Sequence, residues 1–341
     1  MEPTTLETTW YALLGAVWVL YFVLGGIDLG VGQLLRRTDR ATALRAIGPT
    51  WAANDVWLVI AVAITLGAFP GWYAEFMSGA YLPLVAVVAA VMVRHGGIEL
   101  IGHATPRAQA RWERVIVGTS LAIPFLWGVI WAGAFDGSLA AGGDAGLGIF
   151  TPTGIVAGLA LTALCRLQGL AFLRLRVPGV RDRLSARAVS VPAVALLLAA
   201  LVVFATQAPS GLALGPVGLG LGVLCATGLA VVVRAAALGR DLPTLLGACA
   251  AMTGAFGALF AVLFRTPIAG SGPHSVALSE AASGATTLGA MLAISVVLLP
   301  LGLAALGYAY VRFLRPPADA PRGGVGGLVA RAARGTLREL R

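Results

Sequence analysis

Charge is what this sequence has least of. Asp, Glu, Lys and Arg make up 11% of its 341 residues, against 58% hydrophobic. That is too little polar surface to cover a soluble globule of this size, so the composition is that of a membrane protein. Lysine is absent, which makes all 24 basic residues arginine, and the +9 balance would suit nucleic acid as well as a membrane surface until the arginines are placed. Histidine is scarce. His95, His103 and His274 fall in or beside loops, and none is an obvious cofactor ligand inside a span, so redox cofactors are expected on another chain. The three cysteines, Cys165, Cys225 and Cys249, lie in apolar stretches without CxxC or metal-ligand spacing and read as small core residues. There is no P-loop, HExxH or GxSxG, and Gly218, Gly220 and Gly222 lack the GxGxxG spacing. A positively charged leader is missing too: MEPTTLETTWYALLG is acidic, so the first apolar helix is expected to be retained.

What the chain has in quantity is apolar runs. A span needs about 20 mostly apolar residues, and cutting at charged or Gly/Pro-rich breaks gives nine candidates: 10–35, 53–70, 76–95, 113–135, 152–174, 188–207, 213–235, 243–264 and 284–313. With the N-terminus outside, all arginines but Arg166 and Arg265 fall in the inner segments and the tail, while Glu2, Glu7, Glu75, Asp136, Asp144 and Glu280 lie on the outer side. This placement favours a lipid bilayer, not nucleic acid, as the partner of the basic residues. The expectation is an all-α polytopic membrane protein with nine transmembrane helices, N-terminus outside and C-terminus cytoplasmic. Residues 1–315 form the membrane domain, and 316–341 an Arg-rich cytoplasmic tail that lies against anionic headgroups or frays. The outer loops are short except for 136–151 and 265–283, so chemistry must occur in the membrane or on a partner. Glycine is abundant, at 45 residues, and Gly26 and Gly30 have the small-xxx-small spacing that lets helices approach closely.

The candidate site is the set of polar residues that such spans bury at a cost. Asp28 lies about seven residues before the first helix ends, roughly 10 Å inside the boundary, and shares a face with Gly25 and Gly32. It reads either as a proton-handling group or as the anchor of a buried ion pair. Trp51, Asn54, Asp55 and Leu58 share a face at the start of the second span, where Asn54 and Asp55 would also suit N-terminal capping. Arg94 and Glu99 close the third span on the same side. A carboxylate pair and an arginine from three consecutive helices are therefore expected to meet at one depth. Arg166, inside the fifth span, either snorkels or meets a counter-charge on another helix or subunit. Trp51 and Trp57 are either interfacial aromatics or the lining of an apolar gas route.

At these residues the sequence resembles subunit II of the cytochrome bd-type quinol oxidases, in an actinobacterial-like form. The family's opening acidic motif reads GGIDLGVG here, from Gly25 to Gly32, and its second motif reads IGPTWAANDVWL, from Ile47 to Leu58. AFPGWY at 68–73, YLPL at 81–84, LQGLAFLRLRVPGVRDRLSARA from Leu167, SEAASGATTLGAM from Ser279 and Pro300 also fit, so the likeness covers nearly the whole chain. It implies nine spans arranged as two four-helix bundles plus one peripheral helix in the bacterial plasma membrane. It also implies a heterodimer with a similar subunit I that carries haem b and haem d and oxidises quinol, and leaves room for small accessory membrane subunits. This chain would ligate no haem or metal and would contribute assembly, haem shielding, and a share of a proton path or dioxygen access.

The departures fall on that path. Gly25 replaces the first acid, Ala52 the aspartate of the second motif and Ala53 the glycine after it. Ile101 replaces an arginine two residues after Glu99, and Ala305 and Leu306 replace a Tyr-Gln pair in the last helix. Asp28, Asn54, Asp55, Arg94 and Glu99 remain, either to rebuild a water-lined path or to hold helices together. Two rivals follow: a proton-coupled secondary transporter built on Asp28 and Glu99, and a diverged scaffold paralogue that has lost the proton path.

Overall fold

The computed structural model describes residues 2–48, 51–141, 144–177, 180, 185–207, 215–270 and 273–314. Among them the only departure from helix and loop is a lone antiparallel bridge between Ile268 and Val276. The first helix, α1 (Thr5–Gln33), starts on a capping box: Thr4 Oγ1 accepts from the Glu7 N–H at 3.3 Å while the Glu7 carboxylate accepts from the Thr4 N–H at 2.7 Å. A short helix α2 (Arg40–Ile47) follows, then α3 (Trp51–Ala68), α4 (Pro70–Gly79) and α5 (Tyr81–Leu100). The long α6 (Pro106–Asp136) stops at Gly137, whose φ of +83° is the left-handed conformation that ends a helix. The remainder are α7 (Pro152–Arg176), α8 (Ala186–Gln207), α9 (Pro216–Ala237), α10 (Asp241–Val262) and α11 (Ala285–Leu314).

Eight of these helices are long and apolar enough to cross a membrane among the described residues. The sixth expected span falls on α8, where the described apolar stretch is the shorter Ala188–Val202. Two boundaries differ most from the sequence reading. The span placed at 76–95 is broken: proline at the first turn starts α4, α4 ends at Gly79, and α5 begins afresh at Tyr81. The span placed at 113–135 begins at Pro106, so Arg107, Arg111 and Arg114 ride on a helix that projects beyond the apolar run. The tail 316–341 and the side chains of Ala305 and Leu306 lie outside the described residues.

Helices α1, α3, α5 and α6 pack as one group and α7 to α10 as another, with α7 also against α1 and α6. Glycine makes the join. A Cβ on Gly30 would lie 1.9 Å from the Cys165 carbonyl oxygen, and one on Gly169 would lie 2.2 Å from the Gly30 carbonyl carbon, so α1 and α7 touch backbone to backbone. Helix α11 lies outside both groups against α1 and α3, with 6% of its apolar stretch buried. The core between the groups is aromatic: Trp18 stands edge-on to Trp127 and Trp131 at 5.0 and 5.2 Å, and Phe22 stacks on Phe256 at 3.9 Å.

The two ends differ in chemistry. At one, residues 265–270 and 273–283 are tied down by Ala269 N–H to Ala134 O (2.9 Å), His274 N–H to Ala140 O (3.1 Å) and Ser283 N–H to Ala68 O (2.8 Å), and His274 Nδ1 meets Glu75 at 2.5 Å. The other end is Arg-rich: Arg36 and Arg40 face Glu113 at 4.0 and 3.7 Å, and Arg174 makes a buried ion pair with Asp241 at 2.5 Å.

Candidate functional site: a buried carboxylate between three helices

Helix α1 is not regular throughout. Tyr21–Gly25 winds as a π turn, a local widening that recurs at functional sites. Asp28 follows one turn later and is 3% exposed. The Asn54 amide from α3 donates to the Asp28 carboxylate and, at 3.3 Å, to the Leu24 carbonyl inside the π turn. From α5, Arg94, 2% exposed, donates through one terminal nitrogen to the Asp28 main-chain carbonyl at 3.2 Å and through Nε to Ser120 Oγ on α6, also at 3.2 Å. A Cβ on Gly32 would sit 2.2 Å from that hydroxyl, so the glycine opens the space in which Ser120 meets α1. Gln33 completes the layer, donating to the Ser120 carbonyl at 3.1 Å and the Thr162 carbonyl of α7 at 3.3 Å.

The five expected site residues divide. Asp28, Asn54 and Arg94 form the inner cluster with Ser120. Asp55 lies outside it, its carboxylate against His95 Nε2 at 2.5 Å, and the Trp51 ring stands edge-on to His95 at 4.8 Å. Helical geometry explains the split: consecutive residues point about 100° apart, so Asn54 and Asp55 face different neighbours, as do Arg94 and His95. Glu99, five residues beyond Arg94, is turned about 140° away and is exposed, so it does not join the cluster. The capping reading of Asn54 and Asp55 gives way to these side-chain partners. His95, placed beside a loop by the sequence reading, sits within α5.

Arg166 is half-buried with its Nε out of reach of any acceptor among the described residues, and the charge that bears on it there is the like charge of Arg37. The counter-charge expected for it is not found among the described residues of this chain. Trp57 is 5% exposed in the core, with its indole N–H unpaired. It does not line the larger apolar cavity, about 570 Å³ between Trp18, Trp72, Leu84, Met92, Trp127 and Trp131, nor a second of about 410 Å³ between α6 and α10; Trp51 lines neither. No histidine or charged residue lines either cavity.

Ser120, Gln33 and His95 are the functional candidates that sequence reasoning missed. A serine in an apolar helix carries no mark of which neighbour it faces, and Gln33 reads as a helix-end residue. His95 had a weak signal, since it adjoins Arg94.

Together the architecture and site define a multi-pass helical membrane protein with a buried carboxylate, Asp28, hydrogen-bonded where its helices meet. The fold matches the solved bd oxidase from Geobacillus thermodenitrificans with a TM-score of 0.70 at 17% identity, covering 91% of this chain and 99% of that one. A family model for cytochrome bd terminal oxidase subunit II matches residues 6–313, and the chain belongs to that family. Among curated proteins it is 34% identical to cytochrome bd ubiquinol oxidase subunit 2 of Bacillus subtilis over 188 residues, 51% of this chain and 55% of that one. It is 26% identical to cytochrome bd-I ubiquinol oxidase subunit 2 of Escherichia coli K12 over 198 residues, 52% and 51% of the respective chains. The chain thus matches these curated relatives over about half their length. Its setting is the bacterial plasma membrane.

Proposed function

We propose that the chain works as subunit II of a cytochrome bd-type quinol:dioxygen oxidoreductase, in a heterodimer with a haem-bearing subunit I. The observation that carries the reading is the convergence of the two family-like motifs on one buried group: Asp28 of GGIDLGVG is held by Asn54 of WAANDVWL and flanked by Arg94. In this role the subunit crosses the membrane nine times with its N-terminus outside. It buttresses subunit I, shields the haem region and offers Asp28 as a proton-handling group on the Arg-rich, cytoplasmic side. Haem b, haem d and quinol belong to the partner. In keeping with this, His95 and His274 are each set against a carboxylate, at 2.5 Å from Asp55 and Glu75. Arg166, with no counter-charge among the described residues, suits the interface with subunit I. Family membership displaces the transporter reading. The scaffold reading keeps one observation in its favour, the loss of acids at Gly25 and Ala52.

Purifying the tagged chain in mild detergent with its native partners tests this. Co-isolation of a subunit of similar size with b- and d-type bands in reduced-minus-oxidised spectra is the expected result, and a folded, colourless chain alone would overturn it. Topology is tested separately: a reporter after Arg341 is expected in the cytoplasm and one in the 136–151 loop outside, and the reverse pattern would sink the orientation.

A further inference from the structure

We propose that Arg107, Arg111 and Arg114 form a stripe on α6 that binds the phosphates of anionic phospholipid headgroups. The three recur at i, i+4 and i+7, so they share one face of the helix, and all three are exposed. That face is turned away from α2 and α5. Gln109 and Glu113, on the opposite face, meet Arg40 at 2.7 and 3.7 Å, Glu113 also meets Arg36 at 4.0 Å, and Trp112 packs over Gly97 of α5. Other arginines at this end are already committed, Arg36 and Arg40 to Glu113 and Arg174 to Asp241. No acid among the described residues pairs with the stripe. Its lean is set by Arg114, whose Nε donates to the Ala110 carbonyl at 3.2 Å and so turns the guanidinium toward the Pro106 end, away from the apolar run. Three like charges within two turns repel one another, and the dipole at the start of a helix does not favour cations. An external anion relieves both.

Depth and the rest of the same face identify that anion. Helix α6 has 31 residues, about 46 Å of helix, against roughly 30 Å of bilayer hydrocarbon. Counted back from Asp136, about 20 residues fill the hydrocarbon and reach Val117. Arg114 and Arg111 then lie about 5 and 9 Å beyond it, at headgroup depth, with Arg107 one turn further toward water. Trp112 stands at the same depth, where membrane interfaces place tryptophan. In the other direction the face continues through Gly118, where a Cβ would meet nothing within 4 Å, and Leu121, which is 37% exposed. One uncovered face thus passes from guanidinium to apolar surface at the level where a lipid passes from phosphate to acyl chain. The planar guanidinium fork matches two phosphate oxygens at once.

The test uses the chain with its native partners, reconstituted into vesicles of equal parts phosphatidylglycerol and phosphatidylcholine and extracted again in mild detergent, with the lipids that stay bound counted by mass spectrometry. Wild type is expected to retain phosphatidylglycerol in preference. Arg111→Gln is expected to lower that preference about fivefold, the factor that one arginine near an anionic surface supplies. Replacing Arg107, Arg111 and Arg114 together by Gln is expected to lower it further. Arg265→Gln makes the same charge change at the opposite end, where Arg265 meets Glu2 at 2.9 Å, and is expected to leave the preference as it is. Salt at about 1 M, which screens charges beyond about 3 Å, is expected to weaken the wild-type preference. Equal retention in wild type and the triple variant would overturn the proposal. So would loss of the partner subunit from the triple variant, which would assign the stripe to a protein contact.

Discussion

Gly30→Ala is expected to cost the chain its native packing, although it adds a single methyl group. The new carbon would lie 1.9 Å from the Cys165 carbonyl oxygen, and the opposing surface is the backbone of α7, with Gly169 pressed equally close. No side chain can rotate to make room, so α1 and α7 must separate. Overpacking of an ordinary core costs about 1–3 kcal/mol, and a backbone contact with no slack belongs at or above the top of that range. The consequence reaches the site, because Asp28 and Gln33 are placed by the same stretch of α1 and Gln33 bonds to Thr162 of α7. The measurement is the yield of monodisperse protein and its thermal unfolding in detergent. Gly148→Ala, at a glycine where a Cβ meets nothing within 4 Å, serves as the control. A Gly30→Ala protein that purifies and melts like wild type would show that the helices are not in backbone contact there.

That contact was partly legible beforehand. Gly26 and Gly30 carried the small-residue spacing, and composition alone made the chain helical and membrane-bound. What the sequence lacked was the identity of the partner helix, since Gly169 lies far along the chain and sits in a motif that reads equally well as ordinary apolar helix. The site shows the same division. Asp28, Asn54 and Arg94 stood out because ionisable and amide groups are rare in apolar helices. These three do meet, but sequence position does not give rotation, so Glu99 was placed inward when it is exposed. The break between α4 and α5 was missed for a related reason. Pro70, Gly71 and Gly79 are turn signals, but the apolar run continues across them and hides the interruption.

Arg94→Met is the change expected to damage the site most, and its effect should depend on residue 28. The guanidinium is the cation that acts on the buried Asp28 carboxylate, and it satisfies the Asp28 carbonyl and the Ser120 hydroxyl. Losing it leaves these two buried acceptors without their donor, about 1–3 kcal/mol for each group left unsatisfied, and leaves the Asp28 carboxylate charge without its nearby cation. Asp28→Asn removes that charge at nearly constant size, so the double variant is expected to recover a good part of the loss; losses that simply add would mean the two side chains do not interact. Asp28→Asn alone then separates structure from chemistry. As a proton-handling group its replacement should slow oxygen consumption on the order of 10²-fold while the complex and its haem spectrum stay intact. Loss of assembly would assign Asp28 to holding helices together. An unchanged rate in an intact complex would mean that its protons travel wholly through the partner subunit, with the losses at Gly25 and Ala52 marking a path already abandoned.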